Sequence, residues 1–316
     1  MPGILTIAKK EFTDHVSDNT FLLSFGVLLI VMVAGAYVQV INAQDQAYSE
    51  ALRGNPLDES LTWKLYGSDF TYLVAEPFTL FGVFVAIALS FNSINSERTD
   101  GSLKVLLSYP ISKGKVIIGK LLGGLLVVSM VTVISIIITF SIVMYFLSIP
   151  LTTDYFLRVA SVTSLGIVLL FFFLCVGTAV SIMIQDTSAA LMGILLIVVA
   201  LQADFISMGA IIVSSVSNII GVQFKLPTNM GYVSGGHLYG DISTRAFWIF
   251  SPSESFLGFT SNIFRFVNSS GYPIVYIPLE FEWLLPKGID LAESLIALAV
   301  ASTIICCILF VRRDVT

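Results

Sequence analysis

Six stretches of the chain are apolar almost without interruption, and polar residues gather between them. They cover residues 21–40, 70–91, 116–149, 159–184, 189–203 and 291–311. A helix that crosses a bilayer needs about 20 mostly apolar residues, so each stretch predicts a span. The third is too long for one perpendicular crossing and is expected to begin at the interface or to tilt. The fifth is short and runs into Asp204. A seventh apolar run, 205–221, contains Ser214, Ser215, Ser217 and Asn218. It reads as an external or re-entrant segment.

The first 20 residues follow another pattern. Leu5, Ala8, Phe12 and Val16 recur at helical spacing, while Lys9, Glu11, Asp14 and Asp18 fall elsewhere. This predicts an amphipathic elbow helix over 1–20, lying in the inner interface. A short helix packed on protein is the other reading. His15 is expected at the surface. Residues 21–33 followed by Ala34-Gly35-Ala36 resemble a signal-peptide core with a small-residue site. The acids and lysines upstream argue for a retained first span.

Residues 204–290 form a long polar interval. At 250–267 it reads "FSPSESFLGFTSNIFRFV", with Ser251 as candidate N-cap, Pro252 at the first helical position and Glu254 three residues after the cap. Phe256, Phe259, Ile263 and Val267 then share one face, which must cover the bilayer, the bundle or a partner. The Gly- and aromatic-rich 231–244 predicts turns between short strands. His237 and Asp241 are too few to hold a metal. Asn268-Ser269-Ser270 fits a glycosylation acceptor.

Composition agrees with the spans. Of 316 residues, 56% are hydrophobic and 12% charged, against about 25% charged in soluble domains. Mean hydropathy is +0.92. The fold class is an all-α polytopic membrane protein, one transmembrane domain over 1–316 in the cell membrane. The net charge of −5 gives no basic footprint for nucleic acid. Cys175, Cys306 and Cys307 sit in apolar runs and read as small buried hydrophobes. With six spans and a cytoplasmic N-terminus, Lys9, Lys10, Arg98, Lys104, Lys113, Lys115, Lys120, Arg312 and Arg313 are inside. Arg53, Lys64, Arg158, Lys225, Arg245, Arg265 and Lys287 spread over the longer outer segments. That density difference fits the positive-inside rule and places the C-terminus inside as well. Glu76, in the second span, reads as an interfacial carboxylate, and the chain shows almost no ionisable group deep in a span.

The segment "GKVIIGKL", residues 114–121, imitates a phosphate-binding loop. Such a loop needs Ser or Thr after the lysine and follows a buried strand. Here Leu121 takes the hydroxyl position and a span follows, so nucleotide binding is excluded. The loop before it, 92–115, carries Leu103, Leu106 and Leu107 on one short helical face, with Gly101 before it and Pro110 after. A cytoplasmic helix of that kind suits docking into another protein's groove. An ordinary interfacial connector is the plainer alternative.

The same loop closely resembles a signature of the ABC type-2 transporter permeases, E-R-x-x-G-[ST]-L-x-x-L-L-S-x-P-[IV] followed by a basic residue and G-K. Glu97, Arg98, Gly101, Ser102, Leu103, Leu106, Leu107, Ser108, Pro110, Lys113, Gly119 and Lys120 occupy its places. The opening "IAKKEFTDH" resembles that family's K-E-F-x-D start, here Lys10, Glu11, Phe12 and Asp14. The final "FVRRDV" resembles its ending. The closest-looking branch is the permeases beside copper-enzyme maturation systems. Relatives often carry basic residues before the first span, where this chain has Ser17, Asp18 and Asn19.

The resemblance implies a membrane-spanning permease without cofactor, served by a separate cytoplasmic ABC ATPase that holds ATP and Mg. It also implies a second permease subunit, alternating access across the lipid bilayer, and export of a substrate that the residues do not identify. Residues 92–115 would be the ATPase-coupling loop. A non-transporting membrane anchor or assembly factor for an extracytoplasmic enzyme is the alternative. An embedded enzyme is disfavoured, because no H-E-x-x-H or G-x-S-x-G occurs.

Overall fold

The computed structural model describes residues 3–52, 74–91, 93–99, 101, 112–147, 152–202, 252–263, 266–269, 275–278 and 281–312. The helices are α1 (Ile4–Ser17), α2 (Asn19–Leu52), α3 (Glu76–Ser90), α4 (Asn95–Thr99), α5 (Lys113–Leu147), α6 (Thr153–Met183), α7 (Thr187–Gln202), α8 (Pro252–Ile263) and α9 (Phe281–Arg312). One antiparallel ribbon, β1 (Phe266–Ser269) with β2 (Val275–Pro278), pairs Phe266 with Pro278 and Ser269 with Val275. The ribbon sits where a helical face through Val267 is expected from the sequence. The helix is described to Ile263 instead, and the ribbon's strands, "FVNS" and "VYIP", carry β-branched and aromatic residues that favour strand.

Among the described residues, five helical segments are long and apolar enough to cross a membrane. The fifth expected span corresponds to α7, which has 16 residues. At roughly 1.5 Å per residue it is about 24 Å long, shorter than a hydrocarbon core of about 30 Å. Against the six spans expected from the sequence, the described residues hold five span-length helices and one short apolar helix. α5 has 35 residues, about 52 Å. Its first turns are covered by α1, which explains the excess length of the third apolar stretch.

α6 is the centre of the bundle. It packs against α3, α5, α7, α8 and α9, and 72% of its most apolar window is buried. The windows of α2 and α9 are only 22% and 28% buried. Their outer faces present Leu22, Leu23, Ile30, Ile304, Ile305 and Ile308. In a bilayer such faces need no protein cover, since lipid tails are as apolar as leucine. Close helix contacts use glycine. A Cβ on Gly124 would come within 2.7 Å of Leu174 on α6, and one on Gly166 within 3.2 Å of Phe78 on α3.

α8 joins the bundle. Phe256, Phe259 and Ile263 are buried, and Phe256 meets Phe78 with ring centroids 5.6 Å apart. Of the three covers open to this face, the bundle is the one it has. Pro252 opens the helix as expected. Ser251, the 205–221 run, His237, Asp241, the 231–244 turns and Arg313 lie outside the described residues.

Glu76 opens α3 with an exposed side chain, in the first turn where a carboxylate faces the positive helix end. Cys175 and Cys306 are buried and Cys307 half-buried, all as free thiols.

Candidate functional site

The elbow helix and the loop signature meet at one end of the bundle. α1 lies across the start of α5, and the fit is made by two glycines. A Cβ on Gly119 would stand 2.7 Å from Ile7 Cγ2, and one on Gly123 would stand 2.6 Å from Glu11 Cβ and 2.9 Å from the Ala8 carbonyl oxygen. The Gly-Lys that imitates a phosphate loop is thus a helix-packing step. Gly119 lets α1 approach, and Lys120 reaches what α1 brings.

What α1 brings is Glu11. Lys120 Nζ donates to Glu11 Oε1 and Oε2, both at 3.0 Å. It also donates to the Ser93 carbonyl oxygen at 3.3 Å and lies 2.9 Å from Glu97 Oε1. Lys10 Nζ joins from the outer side, 3.2 Å from the same Glu97 oxygen and 3.3 Å from Asp14 Oδ2. The side chains of Lys120 and Glu11 are only 4% and 7% exposed, and that of Glu97 13%. Burying either charge alone would be costly, so the pair forms only because each compensates the other.

The spacing of apolar residues leaves Glu11 off the apolar face of α1, yet Glu11 is buried, as is Lys120 at the same end of the bundle. The buried positions of α1 are Ile7, Ala8 and Glu11, whereas Leu5 is 80% exposed. α1 packs on protein, because Glu11 finds Lys120 there and the glycines remove the side chains that would keep the helices apart. His15 is half-buried rather than at the surface. With Glu11, Ser93, Lys120 and Thr178 it lines a cavity of about 10 Å³, room for about one water.

The chain enters this site through short capped turns. Asp18 ends α1 in an extended conformation. Its Oδ1 accepts from the Thr20 amide at 3.2 Å, and its carbonyl accepts from Leu22. The acid that stands where relatives carry a basic residue is therefore the N-cap of α2. On the loop side, Asn95 Nδ2 donates to the Ile184 carbonyl oxygen at 3.0 Å, an orphan acceptor at the end of α6. Arg98 Nη1 donates to Asn95 Oδ1 at 3.2 Å. Gly101 follows with φ +72°, the left-handed conformation that glycine adopts without steric cost after a helix end. So α4 is tied on one side to α6 and on the other to α1 and α5.

The remaining signature residues divide clearly. Phe12 is half-buried against the core, Asp14 is exposed, and Lys113 opens α5 half-buried. Ser102, Leu103, Leu106, Leu107, Ser108 and Pro110 lie outside the described residues.

The opposite end of the bundle holds a second buried charge. Arg158, read from the sequence as an outer-side residue just before the fourth span, lies in the first turns of α6 and is 2% exposed. Its Nε donates to Asp154 Oδ2 at 2.7 Å, and its Nη1 donates to the Ile263 carbonyl oxygen at the end of α8. A guanidinium there satisfies an orphan carbonyl and offsets the negative end of the helix. The i, i+4 pairing of Asp154 and Arg158 was the available signal. Buried charges are thus more numerous than the sequence suggested, but they sit near the two ends of α6. Arg158 and Ile184 are about 39 Å apart at roughly 1.5 Å per residue, comparable to a bilayer with its headgroup regions at about 40 Å.

No group of three or more His, Cys, Asp or Glu suited to a metal occurs among the described residues. The ion cluster holds helices together and offers no reacting atom.

Comparison with known proteins fits this arrangement. The description of the ABC-2 family transporter proteins matches residues 5–315. The probable ABC transporter permease protein NosY of Pseudomonas aeruginosa is 29% identical over 134 residues. That alignment spans 42% of this chain and 43% of the relative, less than half of either. The family match runs from the elbow helix to the last residues and includes every buried charge described above, and so the chain is a multi-pass membrane permease that belongs to the ABC-2 transporter family.

Proposed function

We propose that this chain is the membrane-spanning subunit of an ATP-driven exporter. A separate cytoplasmic ATPase supplies the energy, and a second permease subunit, identical or related, completes the pathway. In this reading the chain crosses the bilayer six times, with α7 contributing to the fifth crossing and both termini in the cytoplasm. The elbow helix lies along the inner interface with Leu5 towards lipid. Residues 92–115 form the coupling loop, and Leu103, Leu106 and Leu107 dock on the ATPase. Residues 204–290 stand outside.

One observation carries the reading. The two segments that resemble the family signature, 7–15 and 97–120, converge on a single buried ion cluster at one end of the bundle. A docking loop must be held stiffly at its base, or the push of a partner is lost in loop motion. Glu97 and Asn95 supply that hold. ATP binding would then bias the bundle between two states, as nucleotide does in other two-state machines.

The test is purification of the tagged chain from its own membranes in mild detergent. A stoichiometric ATPase with an intact phosphate loop is the expected companion. Recovery of an extracytoplasmic enzyme instead, from a monodisperse preparation, would favour the anchor reading.

A further inference from the structure

We infer that Lys120 is a positioning residue for energy coupling, the single cation that makes the elbow helix, the base of the coupling loop and the third apolar helix move as one body. The inference rests on the permease reading above and adds a residue and a path to it. Nothing in the family match assigns a role to this lysine.

The geometry is specific. One ammonium has three donors, and Lys120 Nζ finds three acceptor groups on two separate segments. They are Glu11 on α1, Glu97 on α4 and the Ser93 carbonyl just before α4. The lysine itself rises from α5. Lys10 closes the ring, because it shares Glu97 Oε1 with Lys120. Breaking one partner of a buried pair leaves the other charged and unpaired, a cost far above that of a surface ion pair. The cluster therefore resists opening while the loop beyond Gly101 is pushed. Its second anchor, Asn95 on the Ile184 carbonyl, brings the end of the central helix α6 into the same body. A displacement of α4 is then handed to α1, α5 and α6 together through contacts that are continuous in space, which is the physical requirement for coupling between distant sites.

A clamp that merely helped the chain fold would look similar in the resting state, so the test separates the two. The complex of the chain with its ATPase is reconstituted in liposomes as wild type, Lys120→Met and Lys120→Arg. Spin labels at Lys9 and Thr99, both exposed, report the spacing of α1 and α4 with and without trapped ATP.

In wild type this distance is expected to stay constant between nucleotide states. In Lys120→Met the ATPase should still co-purify, with KM for ATP unchanged. The kcat of coupled hydrolysis should fall roughly tenfold, within the usual range of site-to-site coupling, and the label distance should broaden. Lys120→Arg should restore most of the kcat. The inference is overturned if Lys120→Met hydrolyses and transports like wild type. It is also overturned if the wild-type label distance shifts by roughly 2 Å or more on ATP trapping, the size of an ordinary helix shift. If Lys120→Met does not accumulate in the membrane, Glu97→Gln removes one charge at nearly constant shape and is read by the same assays. If wild-type chain binds no ATPase, the permease reading falls and this inference with it, whereas intact binding with unchanged kcat in the variants removes the inference alone.

Discussion

Lys120 Nζ stands 3.0 Å from both carboxylate oxygens of Glu11, 109 residues away in sequence. This contact docks the first helix onto the bundle. Replacing Lys120 by Met should cost about 1–3 kcal/mol, because the buried Glu11 carboxylate keeps only the exposed Lys10 at 3.4 Å. Glu11→Met combined with Lys120→Met should cost less than Lys120→Met alone, because an apolar pair of similar volume leaves no charge unpaired there. Unfolding in denaturing detergent, read as a double-mutant cycle, measures the difference. Strict additivity would mean that the two side chains are not energetically joined.

The glycine step makes a second prediction. Gly123→Val must push away Glu11 Cβ and the Ala8 carbonyl. Such overpacking typically costs about 1–3 kcal/mol. Gly114 has nothing within 4 Å of its would-be Cβ, and Gly114→Ala should leave docking untouched. A cysteine at buried Ala8 reports the outcome. Its maleimide labelling should accelerate in the Gly123→Val background and stay slow beside Gly114→Ala.

His15 gives the docked helix a dependence on pH. Burial, the strongest influence, pushes its imidazole below the ordinary value; Glu11 opposes this, Lys120 reinforces it, and Asp14 and Asp18 oppose it. Docked His15 is therefore held neutral and binds fewer protons than an undocked one, which titrates near about 6.5. Docking should be at full strength above that value and weaken as pH falls from there towards the depressed docked value. Hydrogen exchange of α1 amides, corrected for intrinsic rate and measured on both sides of about pH 6.5, should show faster opening on the acid side. His15→Gln should flatten the difference. An equal dependence in that variant would assign it to another group.

At the far end of α6, Arg158→Met removes the donor that satisfies the Ile263 carbonyl and leaves Asp154 without this cation. A stranded buried polar group costs about 1–3 kcal/mol. The loss should appear as earlier thermal unfolding in detergent and as faster proteolysis just beyond α8, while the contacts of α1 stay intact. Unchanged cleavage beyond α8 would show that α8 is held by its aromatic face alone.

The docking loop has its own test. Changing Leu106 and Leu107 together to Asp should abolish ATPase binding and transport without affecting membrane insertion, since the apolar face proposed to meet the partner is lost. Normal assembly of that variant with the ATPase would sink the docking role of the loop.

By itself the sequence determined the class of molecule and the rough places of its helices. Runs of apolar residues admit few alternatives, because backbone polar groups in lipid must be satisfied within the segment. Leu121 in the hydroxyl position and the span that follows set the Gly-Lys apart from a phosphate loop, and Pro252 marked the start of α8 from local chemistry. Partners were not legible. Glu11 and Lys9 look equally polar in a string of letters, and helical periodicity assigned both to the outside. Only the tertiary structure could decide that one meets a lysine 109 positions on, in a gap opened by Gly119 and Gly123. The burial of Arg158 was hidden for the same reason, since its acceptor is the end of a helix 105 residues away. Burial of a charge depends on what compensates it. That compensation is a property of the packed helices rather than of any one stretch of chain.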